Sequence, residues 1–106
     1  MEIIDLSKTE IRIKYSYNPT SYISGIVYLL DKELFINYFH VDYPIRGNGI
    51  GSKLLKHIID FAKKTYNINK VCLHDESSSY KKSNNIYIKF GFFYDNFFHN
   101  SMTLNL

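Results

Sequence analysis

The 106-residue chain has one cysteine, Cys72, and no tryptophan. A lone cysteine excludes an intrachain disulfide and suits a reducing compartment, so the default expectation is a cytoplasmic protein. No apolar run approaches the ~20 residues of a membrane span. The start, "MEIIDLSKTE", lacks the basic head and apolar stretch of a secretory signal, so no membrane partner is expected. The formal charge is only +3, and the basic residues are scattered apart from Lys63-Lys64 and Lys81-Lys82. Without a basic stripe a nucleic-acid partner is not expected, whereas a small anionic ligand is compatible with the charge. Alanine occurs only at Ala62, while Ile, Lys, Asn and Tyr abound. That bias is the mark of AT-rich coding, and the richness in Lys and Asn carries no functional weight. His40, His57, His74, His99 and Cys72 show no metal-ligand spacing, so no metal site is expected.

The length suits one domain, residues 1–106, with a single core. Ile11, Ile13, Tyr15 and Tyr17 alternate with polar residues, the period-two pattern of a strand with one buried face, and residues 3–6 read as a shorter strand before it. "NPTS" at 18–21 is a turn. The runs 22–30 and 34–41, hinged at Asp31-Lys32, form an antiparallel hairpin. From Ile50 the apolar residues fall at 50, 54, 55, 58, 59, 61 and 62, which predicts an amphipathic helix ending near Tyr66-Asn67. "KVCLH", 70–74, is a short strand with Cys72 in the core. "NNIYIKFGFF" reads as a short helix closed by Gly91, and β runs at about 92–98 and 101–106 end the chain. The order predicts an α+β, or mixed α/β, fold with helices packed on a predominantly antiparallel sheet.

The stretch with most chemistry in it is "PIRGNGIGSKLLKHIIDFA", 44–62, three alternating glycines in front of the long helix. A helix start leaves backbone N–H groups unpaired at the positive end of the peptide dipoles, and glycines let an anion approach them. The amides of Asn48 to Ser52 can converge on such a ligand, with Arg46 at the rim as a charged contact or a brace. The order Gly51-Ser52-Lys53 does not make a P-loop, and a preceding antiparallel hairpin does not suit a dinucleotide-binding fingerprint.

"R-G-N-G-I-G" matches an Arg/Gln-x-x-Gly-x-Gly/Ala signature, and "Y-I-K-F-G-F" at 87–92 is similar to a second segment, Y-E-K-x-G-F, in the expected place. In both, the chain resembles the GCN5-related N-acetyltransferase (GNAT) family from about residue 22 onward. The resemblance implies a twisted sheet with a central splayed parallel strand pair, one long helix and one short helix. It also implies an acetyl-CoA-dependent N-acetyltransferase that moves an acetyl group directly to a primary amine of a small molecule or peptide. The cofactor would be held by Arg46, Gly47, Asn48, Gly49, Ile50, Gly51 and Ser52, and by the main chain of Phe39, His40 and Val41. Asn84 and Asn85 would stand near the cofactor arm. Tyr87 would act as general acid towards the departing thiolate.

Two departures stand out. The strand positions where the family often carries a basic carboxylate hold Phe35 and Asn37, and the two helices usual before the hairpin have no room. His40 or His74 could take up the amine proton instead, with Asp42, Asp75 and Glu76 nearby. The departures leave a second reading open, a coenzyme A-binding or protein-interaction module without turnover. The aromatic cluster at 90, 92, 93, 94, 97 and 98 reads as sheet packing, though it could mark a homodimer surface or an acceptor pocket.

Overall fold

The computed structural model describes residues 1–77, 80 and 85–106. Four strands, β1 (Glu2–Asp5), β2 (Glu10–Ser16), β3 (Tyr22–Tyr28) and β4 (Glu33–His40), form an antiparallel meander. After a 3-10 turn at Tyr43–Ile45 the chain enters helix α1 (Ile50–Tyr66), which crosses over to β5 (Lys70–His74), parallel to β4. Helix α2 (Ile86–Phe90) leads to β6 (Phe93–Tyr94) and β7 (Ser101–Asn105), and the sheet order is β1-β2-β3-β4-β5-β7-β6. The parallel pair is the join between two antiparallel halves, which a helical crossover makes possible.

The helical periodicity does its work on one face. Leu54, Leu55, Ile58, Ile59 and Ala62 are buried against Ile13, Ile23, Val27, Leu34 and Ile36 of the sheet. Each fully buried Leu or Ile is worth about 1.5–3 kcal/mol before entropy, so this stripe fixes the helix on the sheet. The helix ends at Asn67 in a left-handed conformation, its N–H donating to the Lys63 carbonyl. The opposite face of the sheet has no helix over it among the described residues. Cys72 lies on that bare face, half-buried, with Sγ 3.7 Å from Thr103 Oγ1, and not in the core where the sequence places it. Burial pushes its thiol above the ordinary value.

The expected strand at 92–98 shrinks to Phe93–Tyr94. Asp95 stops it: its carboxylate accepts from Thr103 Oγ1 (2.6 Å) and from the Phe97 amide (3.0 Å), and Asn96 takes a positive φ of 65°. A local side-chain acceptor here wins over ladder pairing.

Strand β4 carries a phase change that positions everything near the site. Its register on β3 runs Gly25↔Ile36 and then Ser24↔Tyr38, so Asn37 is an extra, bulged residue. Ser24 Oγ donates to Asn37 Oδ1 at 2.8 Å. Gly25 sits beside the bulge because a Cβ there would lie 2.7 Å from Leu34 Cδ1 and 2.8 Å from the Phe35 carbonyl. Leu34 and Ile36 face the helix before the bulge, and Phe39 and Val41 pack against the core after it.

Candidate functional site

The β4–β5 ladder pairs only Glu33–Ile36 with Lys70–Leu73. Beyond Ile36 no strand pairs this edge of β4 among the described residues, and a wedge opens between the two parallel strands. On the helix side of the wedge lies a cavity of about 910 Å³ lined by Phe39, His40, Val41, Arg46, Gly47, Gly49, Ile50, Gly51 and Ser52, closed opposite by Ser77 and by Ile86, Tyr87, Lys89 and Phe90 of α2. On the bare face lies a second cavity of about 420 Å³, with Phe35, Asn37, Tyr38, His74 and Glu76 in its walls. The two share Phe39, His40, Ser77 and Tyr87, so they meet at the end of the broken ladder.

The glycine loop brings the predicted residues to the first cavity, and its glycines differ in purpose. Gly47 and Gly49 have φ of 84° and 75°, and a Cβ on either would meet nothing within 4 Å. They are needed for the left-handed backbone that turns the chain into α1, not for space. Gly51 is the reverse: its Cβ would stand 3.3 Å from Ile86 Cδ1 and 3.4 Å from Phe39 Cζ, so its bareness lets α1, α2 and β4 meet. The first intrahelical bond is Lys53 N–H to the Gly49 carbonyl, 3.1 Å. The amides of Ile50, Gly51 and Ser52 precede it and are the groups able to hold an anionic ligand in the cavity.

Arg46 braces the loop: its Nε donates to the Val41 carbonyl at 2.7 Å and its guanidinium lies 5.7 Å from the Tyr43 ring. Asn48 lies outside the lining, its amide turned back to the Ile45 carbonyl at 3.1 Å. Asn84 lies outside the described residues. Asn85 belongs to the framework and not to the cavity: fully buried, it accepts from the Tyr87 and Ile88 amides as the N-cap of α2, and donates to Asp75 Oδ2 at 2.7 Å. Lys89 and Phe90 were not among the predicted residues, although both lie inside the "Y-I-K-F-G-F" segment.

Tyr87 stands at the junction, half-buried, its ring 6.1 Å from Phe39 and 6.0 Å from Phe92. Burial, with the negative charge of Asp75 behind it, pushes its phenol up to about 12. The hydroxyl is therefore protonated throughout the neutral range and able to donate.

His40 and His74 take different surroundings. His40 Nε2 lies 3.3 Å from Asp42 Oδ1. Asp42 is itself fixed, accepting from Thr20 Oγ1 at 2.5 Å and donating its own amide to Ser21 Oγ at 2.8 Å. The Thr20 hydrogen bond holds the Asp42 carboxyl below its ordinary value, against a smaller opposing cost of burial. His74 is instead held between rings, edge-on to Phe35 and to Phe98 at 5.6 Å each. Asp75 is 2% exposed and spent on structure, accepting from Ser77 N (2.9 Å), Ser77 Oγ (2.6 Å), Asn85 Nδ2 (2.7 Å) and Tyr94 OH (2.8 Å). Burial alone would raise its carboxyl, but these hydrogen bonds outweigh it and hold the group low.

Solved structures share this architecture. An acetyltransferase from Bacillus cereus superposes with a TM-score of 0.67 at 19% identity, over 92% of this chain and 72% of its own. Mutant forms of the spermidine/spermine N-acetyltransferase SpeG from Vibrio cholerae give 0.69 at 17% identity, over 94% and 69%. A dodecameric spermidine N-acetyltransferase structure from the same organism gives 0.67 at 16%, over 93% and 66%. At these identities the likeness is one of fold. No curated protein matches the chain by sequence. The model of the acetyltransferase (GNAT) family matches residues 11–92, from β2 through the glycine loop and α2 to Phe92. The chain belongs to the GNAT family of acetyltransferases.

Proposed function

We propose that the protein is an acetyl-CoA-dependent N-acetyltransferase acting on a primary amine, with the donor on the helix side of the sheet and the acceptor on the bare side. The observation that carries this reading is the meeting of the two cavities at Tyr87, Phe39, His40 and Ser77, where the β4–β5 ladder ends. A donor thioester and an acceptor amine arriving from opposite faces would be brought together there, which is how positioning lowers the barrier of a two-substrate transfer.

The lining fits the donor. The open space over Gly47 and Gly49, the leading amides of α1 from Ile50 to Ser52 and the cations Arg46 and Lys89 suit a pyrophosphate. The edge of β4 from Asn37 to His40 that faces away from β3, unpaired by any strand among the described residues, offers peptide groups to an amide-containing arm. Acetyl-CoA supplies an acetyl group activated as a thioester. In the transfer a C–N bond forms to the amine, the C–S bond breaks, the amine gives up a proton to a base, and the departing sulfur leaves as a thiolate that gains its proton from water.

The chain's own groups divide that work. His40 is the better placed of the two histidines to accept the amine's proton, because it reaches both cavities and is oriented by Asp42, whereas His74 is part of an aromatic wall. Tyr87 donates a hydrogen bond to the leaving sulfur. With the phenol at about 12, full proton transfer to an ordinary thiolate of pKa ~8.5 would run uphill by about 5 kcal/mol, so its role is stabilisation of charge and not surrender of the proton.

Titration calorimetry with acetyl-CoA tests the donor side. Saturable binding to the wild type and at least tenfold weaker binding to Gly51→Val, which forces α1 from α2 and β4, are expected. A folded wild type that does not bind acetyl-CoA overturns the reading.

A further inference from the structure

The cavity on the bare face is rich in rings and poor in carboxylate. Phe35 and His74 meet edge to face across it at 5.6 Å, Phe98 continues the contact at 5.6 Å, and Tyr38 is held in place by stacking on Tyr22 at 4.4 Å. These are the spacings at which aromatic side chains prefer to pack, and a further ring entering the cavity would find edges and faces already set.

The carboxylates can be followed one by one, because the chain has ten. Glu33 is paired with Lys70 (3.1 Å) and Asp60 with Lys56 (2.8 Å). Asp75 is saturated, Asp95 accepts from Thr103, and Asp42 is engaged by Thr20 and His40. Glu2, Asp5 and Glu10 belong to β1 and β2, Asp31 lies in the turn at the other end of β4, and none of these four lines the cavity. The sequence from Ser78 to Asn84 holds two lysines and no acid. Glu76 is thus the single carboxylate in the cavity lining among the described residues.

We infer that the acceptor is a primary monoamine carried on a planar aromatic body, and not a polyamine; this rests on the acetyltransferase reading above. Glu76 answers one ammonium group on the way in. A polyamine would bring further ammonium groups with no second carboxylate of the lining to meet them. The ring of an aromatic amine instead packs on Phe35, Tyr38 and His74, and directs its amine to the junction at His40 and Tyr87. There the C–N bond forms as described, giving the N-acetylated amine and free thiol, with the amine's proton accepted by His40. The volume of about 420 Å³ is in the range of small-ligand pockets.

Initial rates at saturating acetyl-CoA test this with phenethylamine, butylamine, spermidine and a peptide with an N-terminal phenylalanine. The expected kcat/KM for phenethylamine exceeds those for butylamine and spermidine at least tenfold. Phe35→Leu and Phe98→Ala should each lower the phenethylamine-to-butylamine ratio at least threefold, and Phe98, 56% exposed, can be changed without touching the core. Spermidine as good as phenethylamine, a ratio unmoved in both variants, or transfer confined to the peptide each overturns the inference. Titration of the same preparation with acetyl-CoA separates the failures: binding, with transfer to the other amines but no preference for phenethylamine, refutes the acceptor class alone, whereas absence of binding, or binding without transfer to any amine of the panel, refutes the acetyltransferase reading as well.

Discussion

Replacing Asp75 by Ala should test how the site is held together. One carboxylate there joins the end of β5, the N-cap of α2 and strand β6, through Ser77, Asn85 and Tyr94. Removing it takes a carboxylate partner from two donors, the buried Asn85 Nδ2 and the part-buried Tyr94 OH, at about 1–3 kcal/mol each, while the exposed Ser77 finds water. The expected loss is about 3–4 kcal/mol out of the ~5–15 kcal/mol of a domain this size, or about 15 °C in Tm. Asp75→Asn should cost about half, since its carbonyl can serve Asn85 and Tyr94 while its amide turns to Ser77. Urea unfolding reads both as a fall in midpoint with unchanged slope. Its pH dependence adds a second check. The native carboxyl is held below its ordinary value, so its contribution is complete above about pH 4 and fades as pH falls through the lowered native value. The gap between wild type and Asp75→Ala should therefore narrow in acid. A gap under about 1 kcal/mol at pH 7, or one that widens in acid, would refute the account of Asp75 as the tie between these elements.

Two further outcomes concern turnover. Tyr87→Phe should lower kcat about 10–100-fold with little change in acetyl-CoA affinity; because the phenol sits at about 12, the alkaline limb of the rate profile below about pH 10 should be the same in wild type and variant, and a limb lost with the hydroxyl would refute the hydrogen-bond role. His40→Gln should reduce kcat at pH 7 by about 100-fold or more, with the deficit shrinking towards pH 10 as more of an alkylamine acceptor is already neutral. Asp42→Asn should give a smaller deficit with the same recovery, and a deficit independent of pH would remove the pair from proton uptake.

Most of the architecture is legible in the sequence because each element carries its own periodicity. The long helix appears at Ile50–Tyr66, and β5 is the quoted "KVCLH". The loop's placement against the cavity follows from its glycines. What the pattern does not give is anything decided by contacts distant in sequence. Asn85 reads within "NNIY" as a residue for the cofactor arm, but Asp75, ten residues earlier, claims its amide. Thr20 and Asp42 are 22 residues apart, and only the closing of β3 on β4 brings them together beneath His40. The strand expected at 92–98 fails because Asp95 reaches Thr103 across the hairpin. The second cavity was half visible, in the presence of Phe35 where a carboxylate is usual and in the ring cluster ending at Phe98.

The bulge at Asn37 had a trace in the sequence as well, a change of phase from Leu34 and Ile36 to Phe39 and Val41. Its consequence is larger than one residue. Side chains on a strand alternate faces, so without the bulge, with Asn37 an ordinary ladder residue, Phe39 and Val41 would turn to the bare face and His40 would point beneath α1. With it, Phe39 and Val41 form the floor on which Gly51 and Ile86 rest, while Tyr38 and His40 stay beside Phe35 in the wall of the second cavity. The same extra residue marks where β4 parts from β5, because the parallel ladder ends at Ile36. The edge proposed for the donor, the wall proposed for the acceptor and the passage between the two cavities are therefore a single local feature of β4. A sheet so built can place chemistry between its two faces with a 3-10 turn, a helix start and a five-residue helix as its only additional parts among the described residues.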